Sequence, residues 1–489
     1  MKMENRRFVS PLAIVLVIAL AAILSINAIL LYTIFRLNEE ISLISREIVE
    51  LQKSYTNLSL QILSSLYDEY GGATYLHGDA TGFFHVEKID GKFWLIDPEG
   101  NLFISKGVNH VDYWGDYSPS LGYSPYNKYV SEKYGSADKW AEEAVSRLKK
   151  WGFNTIGAWS SRETYDKGMP YTVILNIALE AGASWLTGNV ADYFSREFKE
   201  AAEKIAMEEC APRREDKYLI GYFIDNELRW AADWRSSNDL FDDYMLLPPE
   251  AEGKKALVNF LREKYGEISS LNRAWGTSFS SFDDLLLEKY APKTLAAEAD
   301  RRGFLRIIAE QYFKLTYNII KKYDPNHLIL GCRFAYKPPD EVLYGCIGYT
   351  DVISVNCYTN PYSDDLESRI IDLKEIHRLT SLPIMITEFS FKAMDSGLPN
   401  SKGAGVPVKT QAERAKYYEE YVKAMMKQPF IIGYHWFQYS DQPLEGRFDG
   451  ENSNFGLVTI RDEPWETLIQ KATIVNLNAE LTHLRGEEG

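Results

Sequence analysis

Apolar residues recur along this chain in three patterns, and each predicts a different kind of element. Residues 11–35, PLAIVLVIALAAILSINAILLYTIF, carry no charge, and as a helix they reach about 37 Å, enough to cross a hydrocarbon core. Lys2, Arg6 and Arg7 precede this run, while Arg36 is soon followed by Glu39 and Glu40. The positive-inside rule then keeps residues 1–10 in the cytoplasm and sends the remainder outside the cell membrane. A cleavable signal peptide is the competing reading, although its apolar region should run only about 7–15 residues. Next, Leu37, Ile41, Ile44, Ile48, Leu51, Tyr55, Leu58 and Ile62 alternate steps of four and three. That heptad seam, which extends back to Ile34, Leu30 and Asn27, predicts a coiled-coil stalk over residues 36–70 and a homo-oligomer, dimer or trimer. Asn57-Leu58-Ser59 is an acceptor sequon that fits an exterior location. Gly71 and Gly72 then break the helix, and residues 71–82 read as a linker.

From Phe83 onward the period changes. FFHVEKIDGKFWLIDPEGNLF reads as a hairpin, with Asp90-Gly91 and Pro98-Glu99-Gly100 supplying the turns. Eight strand-like runs follow: LFISKGVNH, FNTIGAWS, YTVILNIA, LIGYFIDNE, LILGCRFAY, VISVNCY, IMITEF and IIGYHWFQY. Helical patterns such as DKWAEEAVSRLKKWG, SREFKEAAEKIAMEEC and RRGFLRIIAEQYFKLTYNIIKKYDP separate them. Near-continuous apolar strands alternating with helices predict an α/β fold, a closed (β/α)8 TIM barrel over residues 83–489. An open doubly wound sheet is the alternative, but no Gly-rich phosphate loop follows the first strand. The connection after the fourth strand is unusually long, which places a helical insertion at about 249–300, above the barrel mouth.

Composition narrows the partners. A net charge of −15 and a pI near 5.1, with no basic stripe, argue against nucleic acid. Aromatics make up 13%, including 11 Trp and 32 Tyr; such flat amphipathic rings suit an uncharged polar partner, or simply a large core. The four cysteines, Cys210, Cys332, Cys346 and Cys357, lack C-x-x-C spacing, so neither a metal nor another cofactor is expected. Buried free thiols are the default for them, with a bridge from Cys332 or Cys357 to Cys346 as the alternative in an oxidising compartment.

Polar residues cluster at the same end of nearly every strand: Asn109 and His110, Trp159, Asn226 and Glu227, Arg333, Asn356 and Tyr358, Glu388, Trp436 and Gln438. In a barrel these ends converge on the face where active sites are built. Glu227 ends the fourth strand and Glu388 the seventh, so they are expected to face one another. Two carboxylates flanking a cleft can split a glycosidic bond, one attacking the anomeric carbon while the other protonates the departing oxygen. Tyr358 and Arg333 would keep the nucleophile ionised, and Asn226 could hold the sugar's 2-hydroxyl. An Asn-Glu pair alone carries nothing, since it arises by chance about once in 400 residues; its weight comes from the second glutamate. Trp436 reads as a flat platform for a sugar ring. Trp159 and Trp114 read as cleft wall or core; His110 and His435 fit ordinary satisfied barrel residues, with a ligand contact favoured for His110.

GYFIDNELRW, ITEFSF and GYHWFQYSDQPLEGRFDGENSNFGLV resemble the corresponding segments of clan A glycoside hydrolases, most closely the family 50 β-agarases, with the family 42 β-galactosidases as neighbours. The resemblance covers residues 85–475. It implies a retaining mechanism with Glu227 as acid/base, Glu388 as nucleophile and Asn226 beside them, and sugar contacts from Asn109, His110, Tyr358, Trp436, Gln438 and Asp441. The chain departs from the agarases in one respect: a β-sandwich module precedes the barrel in that family, whereas here the apolar run and the heptad seam stand in its place. The expected protein is a membrane-anchored, extracellular, exo-acting retaining β-glycosidase that acts on β-linked glycans. The competing reading is a non-catalytic oligomeric surface protein displaying a glycan-binding barrel; a binding module, however, has no use for a proton donor opposite a nucleophile.

Overall fold

The computed structural model describes residues 27, 30–47 and 66–486, and the chain divides into two compact units at Leu66/Tyr67. In the first unit, residues 30–47 are helical, and the seam residues Leu37, Ile41 and Ile44 are each more than half exposed. The seam from Ile48 to Ile62, and most of the 11–35 run, lie outside the described residues. Among the described residues no helix is long and apolar enough to cross a membrane.

The second unit begins earlier than the sequence pattern predicts. Asp68 Oδ1 accepts from the backbone N–H groups of Tyr70 and Gly72, which turns the chain into a first strand, β1 (Ala73–His77). Residues 71–82 are therefore not a free linker, and residues 67–70 are not stalk. The reason is an available edge: β1 pairs antiparallel with β4 (Asn101–Phe103), which would otherwise be left unpaired on that side. Between them β2 (His85–Ile89) and β3 (Lys92–Ile96) form the expected hairpin, giving a sheet ordered β1-β4-β3-β2. Tyr67 is fixed as well. Its hydroxyl donates to Glu480 at 2.8 Å, and Glu480 is buried against Lys106 Nζ at 2.6 Å, a pairing that burial of either charge requires.

The eight strand-like runs all become barrel strands. They are β5 (Ser105–Val108), β6 (Thr155–Ile156), β7 (Tyr171–Ile174), β8 (Leu219–Asn226), β9 (Leu328–Ala335), β10 (Ile353–Asn356), β11 (Ile384–Phe389) and β12 (Ile431–Trp436). Every neighbouring pair is parallel, and β12 pairs with β5 to close the barrel. Burial on both faces explains the runs. Ile220, Phe223, Leu330, Met385 and Ile432 fill the lumen and are continuous with Phe84, Leu95 and Phe103 of the small sheet. Since Ile220, Met385 and Ile432 each stand second in their strands, the small sheet stoppers the amino end, which leaves the carboxyl end open for chemistry. Gly107 makes room inside: a Cβ there would lie 2.3 Å from the His435 ring. His435, bonded to Ser105 Oγ at 2.8 Å and pushed down to about 3 by burial, is a neutral barrel residue. The insertion after β8 is helical as expected, with helices Glu252–Tyr265 and Ile268–Trp275. All four cysteines are buried and free.

Candidate active site

Asn226 pairs in register with Arg333, and Asn356 with Glu388, so β8 to β11 deliver four polar side chains to one level. The register slips between Phe223 and Asn226, and again between Val355 and Asn356. Such irregularities re-aim side chains beside active sites. Strain gathers here too. His110, Trp159, Asn176, Glu227 and Tyr336, all just beyond the ends of β5 to β9, have φ between 47° and 62°, a conformation that costs a non-glycine residue about 1–3 kcal/mol.

The two glutamates are joined by an unbroken set of hydrogen bonds. Asn356 Nδ2 donates to Glu227 Oε1 at 2.9 Å and to Asn226 Oδ1 at 3.2 Å. Arg333 Nη1 donates to that same Asn226 oxygen at 3.0 Å and to Glu388 Oε1 at 3.0 Å. Tyr358 donates to Glu388 Oε2 at 2.7 Å, and Trp185 Nε1 to Glu227 Oε2 at 2.8 Å. The two carboxyls differ in setting. Glu388 is 6% exposed and ion-paired, while Glu227 is partly open and accepts only from neutral donors. Burial pushes the Glu388 carboxyl up to about 7 in the free protein; Arg333, Tyr358 and Arg447 oppose the rise and the charge of Glu227 adds to it. Burial lowers Arg333, against the pull of Glu388 and Glu227, and its guanidinium lies 4.3 Å from the centre of the Trp159 ring.

The remaining expected contacts divide. His110 and Trp159 are partly open at the cleft. Gln438 donates to Asp116 Oδ2 at 2.7 Å and leaves a buried Oε1 without a partner. Burial raises Asp116, but His110, Arg447 and Gln438 outweigh it and hold that carboxyl low. Asn109 is spent inside the barrel: its amide donates to the Thr387 carbonyl at 2.8 Å and accepts from the Ala158 N–H at 3.0 Å. It steadies the strand that carries Glu388. Two more of the expected contacts are closed off in the same way. Trp436 is fully buried, its ring against Phe389 and Tyr418 and its N–H on the Phe455 carbonyl; the register of β12 slips at Ile432, so Trp436 stands out of phase with that lumen residue and enters the helical layer. Asp441 is buried and accepts from Asn454, Gly456 and Trp465, so it pins the loop after β12 and is not open to a sugar.

Sequence reasoning also missed residues. Trp185 sits in the loop after β7, where no periodicity marks it. Arg447, paired with Asp449 at 2.9 Å and Glu451 at 2.8 Å, lies inside a segment that stood out only for its resemblance.

A family model described as "Beta-galactosidase" matches residues 186–395, and another described as "Glycosyl hydrolase catalytic core" matches residues 336–456. With the closed parallel barrel, these matches support a TIM-barrel glycoside hydrolase near families 50 and 42. Both glutamates fall within the first match. Beta-agarase B of Vibrio sp. (strain JT0107) is 30% identical over 84% of this chain and 49% of its own length; Beta-agarase A of the same strain is 30% identical over 81% and 45%. The chain thus spans about half the length of the curated relatives it matches. Among solved structures, an exo-beta-agarase is 26% identical, with a TM-score of 0.76 over 86% of this chain and 68% of that one.

Proposed function

We propose that this chain is an exo-acting retaining β-glycosidase of the β-galactosidase or β-agarase kind, hydrolysing β-linked glycans by double displacement. The observation that carries the reading is the asymmetry of the two joined carboxyls, of which only Glu388 has a buried cation against it. The ionised Glu388 attacks the anomeric carbon while Glu227 gives its proton to the glycosidic oxygen. A glycosyl-enzyme forms and the leaving sugar departs. Glu227, now a base, takes a proton from water as that water attacks the anomeric carbon and releases Glu388. In this reading Asn226 holds the sugar's 2-hydroxyl. Asp112, Asp116 and Glu451 line this region, and Arg333 and Arg447 are both already engaged by carboxylates, which favours an uncharged sugar. The names of the relatives support a galactose-type glycone, and the likeness to the solved exo-beta-agarase supports attack at a chain end.

The test is the stereochemistry of the first turnover. The full chain is incubated with nitrophenyl β-D-galactoside and with β-linked agar oligosaccharides, and the anomer is followed by proton NMR; the β anomer is expected first. An α anomer would rule out double displacement, and no turnover of any β-glycoside would remove the hydrolase reading.

The same proposal places the barrel outside the cell on a membrane tether, supported by the uncharged 11–35 run, and in a dimer or trimer, supported by the heptad seam from Leu37 to Ile62. Full-length protein is then expected to stay in the membrane pellet through an alkaline carbonate wash, and a chain beginning at Arg36 to run as an oligomer on multi-angle light scattering. A carbonate-soluble full-length protein, or a monomer, would sink that part alone.

A further inference from the structure

A general acid touches the glycosidic oxygen, so whatever packs on Glu227 away from Glu388 borders the leaving group. That neighbour is Trp185. Its N–H holds Glu227 Oε2 at 2.8 Å, and its partly open ring meets that of Trp234 edge to face, centroids 6.0 Å apart. Trp234 is 74% exposed. Single exposed aromatics are common on protein surfaces and need no explanation, but this one is held in place. Arg235 lies 5.6 Å from the Trp234 ring centre, and its Nη1 donates to the Glu227 carbonyl at 2.9 Å and to the Trp185 carbonyl at 3.3 Å. One guanidinium thus ties both tryptophan loops to the backbone of the proposed acid. The two loops also border, through Thr187, Asn189, Arg235 and Ser236, a cavity of about 470 Å³ that neither tryptophan lines.

Resting on the proposed function, we infer that Trp185 and Trp234 form a binding platform for the sugar on the leaving-group side, so that the substrate carries at least one further ring beyond the bond cleaved. Sugar rings present C–H faces that pack on indole, and the platform places the glycosidic oxygen at Glu227. A leaving group without a ring gains nothing from it.

The experiment compares kcat/KM on a β-linked galacto-oligosaccharide with kcat/KM on β-galactosyl fluoride, whose leaving group has no ring, in wild type and Trp234→Ala full chains. The exposed ring can be removed without opening the core. The oligosaccharide-to-fluoride ratio is expected to fall roughly tenfold, the worth of one aromatic contact, with the change carried mainly by KM. An unchanged ratio, in a variant that cleaves both substrates, overturns the platform and leaves the hydrolase reading standing. A wild type that cleaves neither substrate overturns the hydrolase reading, and the platform with it.

Discussion

Replacing Glu388 by alanine is expected to lower kcat/KM on β-galactosides by on the order of 10⁵-fold, the scale seen when a nucleophile is lost, and added azide is expected to restore turnover with an inverted α-glycosyl azide. The reasoning is geometric. Removing the side chain of a residue that is 6% exposed opens a space on the face from which the nucleophile attacks. A small anion can enter it beside Arg333, which has lost its partner, and attack once from that face. One displacement inverts where two retain. Glu227→Ala should behave differently. A fluoride leaving group needs no proton, so the first step survives on galactosyl fluoride, and azide attacks the glycosyl-enzyme from the opposite face to give the β-azide. NMR of the two azide products separates the roles; a β-azide from Glu388→Ala would exchange the two assignments.

The barrel was legible because its strands are buried on both faces, so that eight apolar runs stand out against amphipathic helices. Both glutamates were legible for a related reason: a carboxylate ending an apolar strand is too costly to keep without a use. Side-chain direction was less so. Trp436 has the composition of a sugar platform, yet the slip in register at Ile432 turns it into the helical layer. Glu388 reaches the cleft where the register of β10 and β11 slips, and no sequence pattern announces such a slip. Asp441 resembles a contact residue by its neighbours but is consumed by three hydrogen bonds inside its own loop. Trp185 contacts Glu227 from 42 positions away, and only the closed barrel brings them together. The domain boundary at Tyr67 escaped notice because β1 is short and largely exposed; the β4 edge recruits it, not its own composition.

Changing Arg333 to methionine is expected to move the acidic limb of the kcat/KM profile to higher pH and to lower activity at pH 7 by about 100-fold or more. Four groups from four elements act on the Glu388 carboxyl: Arg333 on β9, Tyr358 after β10, Glu227 after β8 and Arg447 in the loop after β12. Burial raises the group from 4.5 to about 7, and Arg333 is the largest influence against that rise. With Arg333 gone the carboxyl holds its proton to still higher pH, and a protonated carboxyl cannot attack. Stability follows the same sign. Because the folded group binds its proton more tightly than the unfolded one, the wild-type fold loses stability as pH climbs from 4.5 to about 7. In Arg333→Met that loss should continue past pH 7, so the variant melts well below wild type at pH 9 and closer to it at pH 5, where Glu388 is neutral in both. Tyr358→Phe should move both readouts in the same direction by less. A variant that is equally destabilised at both pH values, with its acidic limb unmoved, would mean that Arg333 braces the barrel and does not set the charge of Glu388.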